Sequence, residues 1–504
     1  MRVPLTRYPG MNRFVLDWLN GDPKATRFLP REASGLRRQS RRFESGGIAA
    51  ALQSSNKHWG IFAREPLEKW QRGETVTLVA GQQVGFAGGP LYTLAKLATL
   101  IKMKRELEAQ GQPATAFFWL ATEDHDFDEV AQLNVPVMTL GPDKNVNRQL
   151  DLLCMRAVRG ADVRATVGSL PVPESLITQL LALFDLPRPA FLRPGITFRD
   201  SFAELIATVA NGEVILVDAL LPELRRAGAS LFGQIHARRG EMQAALAQRG
   251  EGLKAAGYNE QVIAKDGEEY TLLFELDDNG NRVPWTRVAN PERTSTSALT
   301  RPLLQDFVLR PDVFVGGPAE VAYYAQLSAL HDLLGVTMPR VALRGHALVV
   351  PKRLTRAFDR YGIDPADVFT SPEALLAERE PADVAKIRAL KEEGKRELMQ
   401  RIEQIGELAL PADHSLAGSI ARSIGHLEYH FDKLAERAIK GLVRKDRERF
   451  KAARELVATL FPDRHVQERI VGWYAYWCVY GQHLVDRIVE EIEPDSDHFR
   501  IVEL

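Results

Sequence analysis

The densest group of reactive side chains in the sequence lies between residues 122 and 129. This segment reads Thr-Glu-Asp-His-Asp-Phe-Asp-Glu, with five carboxylates and one imidazole, and it directly follows the apolar run Thr115–Leu120. Such a cluster can bind a divalent cation, hold an ammonium group or supply a general base with a shifted pKa. We therefore assign Asp124, His125 and Asp126 as candidate catalytic residues. The alternative is an acidic helix start, where carboxylates favour the helix dipole.

A second candidate site is the glycine-rich turn Gly81–Gly89, which follows the apolar run Thr75–Ala80 and precedes Pro90. A turn of this kind between a strand and a helix offers backbone N–H groups to an anion. Its spacing matches neither a Walker sequence nor a dinucleotide-binding fingerprint, so a phosphate or carboxylate site and a merely tight turn both stay open. The binding residues assigned to this region are Gly81, Gln82, Gln83, Gly88, Gly89, Tyr92 and Lys96. Lys96 lies off the apolar face of the predicted helix, so a solvated lysine is its alternative reading.

The same Gly-Gly-Pro pattern recurs at residues 316–318, and both copies are followed by tyrosine. The repeat predicts two helix starts facing one crevice. Further binding residues assigned to that crevice are Asp218, Arg301, Gly316, Gly317, Glu320 and Tyr323. Arg301, Arg340 and Arg344 could neutralise an anionic ligand there, although each arginine alone is more often a surface ion-pair partner.

The elements that must position these residues follow from the apolar runs. Strand, glycine turn, helix and strand succeed one another between residues 75 and 120, which is the signature of a βαβ crossover in a parallel sheet. Further strands are predicted at 214–218, 313–315 and 341–343. Strands alternating with helices predict an α/β fold, a Rossmann-like core with a doubly wound parallel sheet.

The domain organisation that we predict has three parts. Residues 1–371 form the core, with connective insertions near 140–195 and 225–300. Residues 372–460 form an α-helical hairpin, because apolar residues recur at threes and fours in two long charged segments. The near-heptad spacing predicts a coiled coil that pairs two copies, with an intramolecular cap on the core as the alternative. Residues 461–504 are expected to pack back on the core.

The bulk composition narrows the class of protein. The formal net charge is −1 for 504 residues, so no global field favours nucleic acid as a partner. No apolar run is long enough to cross a membrane and the first residues lack a signal-peptide pattern, so we expect a cytoplasmic protein without a membrane partner. The two cysteines, Cys154 and Cys478, exclude a zinc site built from several thiolates.

Several stretches together resemble the BshC family of bacillithiol biosynthesis. The matching stretches are GQQVGFAGGPLYTLAK, FFWLATEDHDFDEV, LRPDVFVGGPAEVAYYAQL, RYGIDPADVF and QERI, spread from residue 81 to residue 470. The resemblance implies a Rossmann-like core with insertions and a coiled coil that makes a homodimer. It also implies a cysteine ligase, which adds L-cysteine to the amine of glucosaminyl malate in the last step towards bacillithiol.

Joining a free carboxylate to an amine needs activation, so ATP or ADP is the candidate cofactor of such an enzyme. No structural zinc is expected and no residue is assigned as a metal ligand, while a divalent cation at the acidic cluster stays open. The glycine turns are plausible cradles for phosphates or for the carboxylates of malate, while Asp124, His125 or Asp126 could deprotonate the ammonium nucleophile. Two other classes stay open. One is a nucleotidylyltransferase or synthetase-like enzyme acting on another small carboxylate, and the other is a non-catalytic coiled-coil assembly protein.

Overall fold

The computed structural model describes residues 1–31, 47–124, 130, 132–137, 148–154, 166–184, 188–261, 272–278, 280–285, 290–377, 382–411, 413–445 and 447–504. The strands are β1 (Arg2–Pro4), β2 (Val76–Gln82), β3 (Ala114–Leu120), β4 (Gln132–Val137), β5 (Arg148–Cys154), β6 (Ile215–Asp218), β7 (Leu273–Leu276), β8 (Arg282–Pro284), β9 (Thr294–Thr296), β10 (Val313–Gly316), β11 (Arg340–Leu343), β12 (His346–Val350) and β13 (His498–Glu503).

The helices, in chain order, are α1 (Arg13–Leu19), α2 (Pro23–Thr26), α3 (Ile48–His58), α4 (Arg64–Gln71), α5 (Leu91–Ala109), α6 (Glu174–Phe184), α7 (Phe198–Ala210), α8 (Pro222–Ala227), α9 (Ala229–Ala237), α10 (Arg239–Ala255), α11 (Arg301–Leu309), α12 (Pro318–Leu334), α13 (Lys352–Tyr361), α14 (Pro372–Ala377), α15 (Ala382–Ala409), α16 (Ala417–Lys445), α17 (Arg447–Leu460), α18 (Gln467–Ile470), α19 (Tyr474–Tyr480) and α20 (Gln482–Glu491). In the described part of the chain, none of them combines the length and the apolar character that a membrane span needs.

The central sheet contains five parallel strands in the order β11–β10–β2–β3–β6. They correspond to the five apolar runs that the sequence predicts as strands. β3 is buried along its whole length, and Phe117, Phe118 and Trp119 are fully inaccessible to solvent. A strand that is covered on both faces needs apolar side chains at consecutive positions, which explains why these runs do not alternate. The predicted α/β fold class is therefore confirmed.

Two helices of the core begin at the carboxyl edge of this sheet. α5 follows β2 after the glycine turn, packs against β2 and β3, and ends just before Gly111, whose φ of +75° suits a glycine after a helix. α12 follows β10 directly and ends before Gly335, which is also left-handed. Because all five strands are parallel, the residues after β2, β3, β6, β10 and β11 meet at one edge, where open α/β sheets bind ligands.

Three smaller sheets accompany the central one. β4 and β5 form an antiparallel pair, and β7 lies between β8 and β9 in an antiparallel sheet of three strands. The turn between β7 and β8 is closed by the backbone of Asp277 and Asn281. The third small sheet has the order β1–β13–β12. β1 and β13 are antiparallel and lie nearly five hundred residues apart along the 504-residue chain.

The described chain divides into two compact units, Met1–Val349 with His465–Leu504, and Val350–Arg464. In the second unit α15 and α16 pair as a helical hairpin. Phe431 packs so closely on Gly394 that a Cβ there would lie 2.7 Å from its ring. The apolar residues predicted along α16 are not all buried, because Leu427 and Leu434 are 42% and 64% exposed.

Candidate active site

The crevice at the carboxyl edge is centred on Lys96, in the second turn of α5. Its Nζ donates hydrogen bonds to the backbone oxygen of Gly81 at 2.7 Å, to Oε1 of Gln82 at 3.0 Å and to Oε2 of Glu320 at 2.6 Å. The same carboxylate oxygen of Glu320 accepts the backbone N–H of Gly317 at 2.7 Å. The structure therefore brings together the ends of β2 and β10 and the starts of α5 and α12, which the sequence analysis predicted to face each other.

The charges of this pair are set by burial and by each other. Only 4% of the Lys96 side chain is exposed, against 26% for Glu320. Burial lowers the pKa of Lys96, although Glu320 acts in the opposite direction. Burial also opposes the charge on Glu320, but Lys96 and the N–H of Gly317 outweigh it and lower its pKa. Glu320 is therefore an ionised carboxylate at neutral pH, and Lys96 is a buried lysine paired with it rather than a solvated one.

Two arginines add positive charge beside Lys96. Arg301 and Arg344 both lie close enough to act on the pKa of Lys96. Burial lowers the pKa of Arg301, but Tyr323 and Glu320 outweigh this effect and raise it. Tyr323 itself donates its hydroxyl to the backbone oxygen of Ala298. Arg340, by contrast, begins β11 at the opposite edge of the sheet and pairs with Asp495.

The first glycine turn is filled by protein. Gly88 has a φ of +82°, and a Cβ on it would lie 2.4 Å from the indole of Trp473, which donates its Nε1–H to the Gly88 oxygen at 2.9 Å. Gly89 is also left-handed, with a φ of +72°. At the start of α5 the backbone N–H of Leu91 donates to the oxygen of Val471 at 2.8 Å. An anion at this helix start would compete with the segment that contains Val471 and Trp473.

Glutamine side chains connect the turn to its neighbours. Gln82 donates from Nε2 to the hydroxyl of Tyr92 at 3.3 Å. Gln83 donates from Nε2 to Oδ2 of Asp124 at 2.7 Å, and its buried Oε1 has no hydrogen-bond partner within the described residues. Asp124 therefore lies in the crevice next to the turn. The other two predicted catalytic residues, His125 and Asp126, lie outside the described residues.

Two neighbouring carboxylates have structural partners. Glu123 is 3% exposed and accepts hydrogen bonds from Ser295 at 2.8 Å and from the backbone of Thr296 at 3.1 Å, so it fastens β9 to the sheet edge. Asp218, assigned to binding from the sequence, is 4% exposed and accepts the hydroxyl of Thr122. Burial raises its pKa. It ends the edge strand β6, two strands away from β2, and the structure does not bring it to Lys96.

Two further glycines of the crevice lie where a side chain would clash with a neighbouring residue. A Cβ on Gly81 would lie 2.9 Å from Cβ of Trp119, and a Cβ on Gly316 would lie 2.9 Å from the ring of Phe314. Sequence reasoning missed one buried contact of the crevice, the ion pair of Arg344 with Glu468. No periodicity could have shown it, because 124 residues separate the two.

The arrangement suits the binding of an anion next to a proton acceptor. Lys96 and Arg301 act on Glu320 at the start of α12, Nε of Arg344 lies beside Gly317, and Asp124 is hydrogen-bonded to Gln83 of the glycine turn. Within the described ranges, no three histidine, cysteine, aspartate or glutamate side chains are arranged to hold a metal ion. A five-stranded parallel sheet with two helix starts at its carboxyl edge defines the chain as a Rossmann-like α/β protein.

Comparison with known proteins identifies the family. The model described as the N-terminal Rossmann-like domain of bacillithiol biosynthesis BshC matches residues 1–285 and 285–345, and the model of the C-terminal coiled-coil domain matches residues 347–504. The chain belongs to the BshC family.

Several relatives named "Putative cysteine ligase BshC" are similar to this chain over most of their length. The protein of Koribacter versatilis is 30% identical over 98% of both chains. The protein of Solibacter usitatus is also 30% identical, over 85% of this chain and 84% of its own. The protein of Geobacillus kaustophilus is 27% identical over 92% and 91%. These names connect the family to ligase chemistry in bacillithiol biosynthesis.

Proposed function

We propose that this chain is a cytoplasmic cysteine ligase that joins the carboxyl group of L-cysteine to the amine of glucosaminyl malate and so forms bacillithiol. Membership of the BshC family and the names of the relatives support the ligase class. The observation that carries the proposal is the ion pair of Lys96 with Glu320, with Arg301 and Arg344 near Lys96 and with Asp124 bound to Gln83 of the adjoining turn. This crevice offers separate places for an anionic group and for an amine.

The cations would bind the anionic part of the substrates. Glucosaminyl malate carries the carboxylates of its malyl group, and charge-assisted hydrogen bonds from lysine and arginine to carboxylates are among the strongest in proteins. Nζ of Lys96 already donates to three protein acceptors, whereas Arg344 is held by Glu468 and keeps an Nε–H that has no partner among the described residues, so Arg344 is the donor offered to the anion. Preorganised charge of this kind also stabilises negative charge that develops during a reaction.

Amide formation requires a free amine. The new C–N bond forms while the bond from the carbonyl carbon to its leaving oxygen breaks, and the nitrogen gives up a proton to a base. Among the described residues, Asp124 is the candidate for that base. Nε2 of Gln83 donates to Oδ2 of Asp124 at 2.7 Å and so orients the carboxylate. His125 and Asp126 remain candidates from the sequence. A base in this position accelerates such a step by about 100–10,000-fold.

A nucleotide is the proposed cofactor. When bound, ATP would supply activation of the cysteine carboxylate, which is a poor electrophile by itself. Lys96, Arg301 and Arg344 fit phosphate oxygens as well as carboxylates, because three cations face the two carboxylates of Glu320 and Glu468. We expect the residues of the α12 start, rather than those of the α5 start, to contact the phosphates.

The test is to incubate the purified full-length protein with L-cysteine and glucosaminyl malate, with and without ATP, and to search for bacillithiol by mass. Product that depends on the protein supports the ligase, and its dependence on ATP assigns the cofactor. No bacillithiol, together with amide formation from another small carboxylate, would favour the synthetase-like alternative. No product from any carboxylate would leave the coiled-coil assembly protein as the better reading.

We also propose that two copies of the chain pair through α15 and α16. The support is a set of apolar side chains on this hairpin that remain more than a third exposed: Leu390, Ile405, Leu408, Leu416, Leu427 and Leu434. A second copy offers the same residues by two-fold symmetry.

Leu427→Glu with Leu434→Glu should give a monomer by light scattering. The control is Lys433→Glu with Lys440→Glu, which makes a larger change in charge away from these leucines and should stay dimeric. A monomeric wild-type protein would contradict the proposal.

A further inference from the structure

Strand β11 carries an arginine at each end, and the two have different surroundings. Arg340 is the first residue of β11, and Arg344 follows its last residue, at the crevice edge. The backbone N–H of Arg344 donates to the oxygen of Gly316 at 2.8 Å, which fixes the main chain of Arg344 beside the end of β10. Arg344 is 3% exposed. A guanidinium this deeply buried needs a compensating charge.

Glu468 supplies that charge in a two-pronged pair. Nη1 of Arg344 donates to Oε2 of Glu468 at 3.0 Å, and Nη2 donates to Oε1 at 2.8 Å. The planar fork of arginine matches a carboxylate in this geometry, so the pair fixes the plane of the guanidinium. Nη1 also donates to the backbone oxygen of Gly345 at 3.0 Å. Nε of Arg344 is buried and has no hydrogen-bond partner within the described residues.

The unused donor lies beside the start of α12. Nε of Arg344 is 3.6 Å from the position that a Cβ on Gly317 would occupy, and the guanidinium carbon is 5.8 Å from the ring centre of Tyr92. Lys96 is near enough for Arg344 to lower its pKa, after the larger effect of burial. The pair with Glu468 therefore leaves an N–H next to the backbone of Gly317 that has no partner among the described residues.

Glu468 is itself fixed from several directions. It accepts Nδ1–H of His346 at 2.8 Å, which makes this the donating nitrogen of a neutral imidazole, since burial lowers the pKa of His346. Burial opposes the charge on Glu468, but Arg344 and His346 outweigh it and lower its pKa. The adjacent Gln467 exchanges two hydrogen bonds with the backbone of Val349, at 2.7 Å and 2.8 Å. Glu468, which accepts from Arg344, is therefore held beside β12 through the neighbouring Gln467.

We propose that Glu468 is a positioning residue that orients Arg344, so that its Nε–H binds an anionic oxygen of the ligand at the start of α12. The ligand class is a carboxylate or a phosphate with an oxygen directed at Gly317 and Arg344. The inference rests on the proposed function for the identity of the substrate. The interaction itself is independent of turnover, so binding can test it separately.

The test measures binding of malate and of ADP to the full-length protein by calorimetry, with each probe alone. Glu468→Gln adds one positive charge to the crevice, so a site that works by charge alone would bind anions more tightly. A positioning role predicts the opposite, a loss of about tenfold for the probe that Arg344 contacts. Loss for malate only assigns a carboxylate, and loss for ADP only assigns a phosphate.

Two further variants make the result specific. Arg344→Lys keeps the charge and one contact to Glu468 but has no Nε–H, so it should weaken the same probe and serves if Glu468→Gln does not fold. Arg340→Lys is the matched control on the same strand, and it should bind as the wild type does. Equal or tighter binding of both probes by Glu468→Gln and Arg344→Lys overturns the proposal, as does wild-type protein that binds neither probe. If the binding effect persists in a protein that makes no bacillithiol, the proposed function fails and this inference stands.

Discussion

The two Gly-Gly-Pro helix starts are alike in sequence and different in structure. At Gly88–Pro90, Trp473 covers the turn and Val471 accepts the first helical N–H of α5. At Gly316–Pro318 the N–H of Gly317 is taken by Glu320, whose carboxylate also binds Lys96. One start is closed by a distant part of the chain, and the other holds an internal carboxylate among cations.

This difference shows that a glycine-rich helix start does not by itself predict an anion site. Both starts offer backbone donors, but a donor that another part of the protein already uses is not available to a ligand. At the start of α12 the occupant is the ionised carboxylate of Glu320, with Lys96 and Arg301 acting on it and Arg344 beside Gly317. A site that stabilises its own anion has the charges that a substrate anion needs.

The largest expected effect follows from removing the central cation. Lys96→Met should reduce bacillithiol formation by about 1,000-fold, because it removes preorganised positive charge and leaves Glu320 buried without its partner. Initial rates at saturating substrate measure the change. Lys102→Met is the control on the same helix, since Lys102 donates to the backbone oxygen of Glu490. If Lys96→Met works as well as Lys102→Met, the cations are not part of the active site.

The closed helix start should respond in stability rather than in ligand affinity. Gly88→Ala places a methyl group 2.4 Å from the buried indole of Trp473 at a φ of +82°. We expect a loss of about 3 kcal/mol in the free energy of unfolding, from strain and overpacking together. Gly111→Ala is the matched control, since its φ is +75° but no atom of the described residues lies within 4 Å of its Cβ position. It should cost only about 1 kcal/mol. Equal losses in urea unfolding would show that the contact with Trp473 is dispensable.

A milder change tests the hydrogen bond at the same place. Trp473→Phe removes the Nε1–H that donates to the Gly88 oxygen at 2.9 Å, so the free energy of unfolding should fall by about 1–2 kcal/mol. Trp477→Phe is the matched control in the same segment, because Nε1 of Trp477 has no partner among the described residues. Affinity for malate and ADP should stay the same in both variants. Weaker anion binding by Trp473→Phe would mean that the α5 start also contacts the ligand.

The smallest expected effect concerns the stability of the protein in acid and depends on Glu320 at the start of α12. The pKa of Glu320 is lower in the folded protein than its ordinary 4.5, so its charge stabilises the fold above that value. This stabilisation disappears as the pH falls through the lowered pKa. Glu320→Gln should therefore show a shallower fall of the unfolding free energy between about pH 5 and pH 3. Urea titrations across this range measure it, with Glu251→Gln on the surface as the control. An unchanged slope would remove Glu320 from the set of stabilising carboxylates.

Much of the fold could be predicted because it depends on local patterns. Five runs of consecutive apolar residues became the five parallel strands, and Pro90 and Gly111 mark the ends of α5 as their backbone preferences require. The edge where the glycine turns meet followed from the parallel direction of the strands. Lys96 was harder to interpret. Its signal was a single lysine within Leu91–Ile101, a stretch that the structure buries completely apart from Tyr92.

The rest depends on contacts that sequence spacing does not encode. Trp473 meets Gly88 across 385 residues, and Glu468 meets Arg344 across 124. No residue close to Gly88 in the sequence indicates that its missing side chain makes room for an indole. Likewise, Asp218 has the residue type and the strand-end position of a ligand contact, and only the structure shows that its carboxylate accepts the hydroxyl of Thr122.

The late position of Glu468 in the chain has a consequence for how the protein is made. A ribosome adds about 5–20 residues each second, so the 124 residues between Arg344 and Glu468 take roughly 6–25 s to synthesise. During that interval the nascent core has β11 but not the carboxylate that neutralises Arg344, and the indole that covers Gly88 emerges later still. The crevice is therefore the last part of the central sheet to be completed during translation, and a chain that stops at residue 464 would leave Arg344 without its counter-ion.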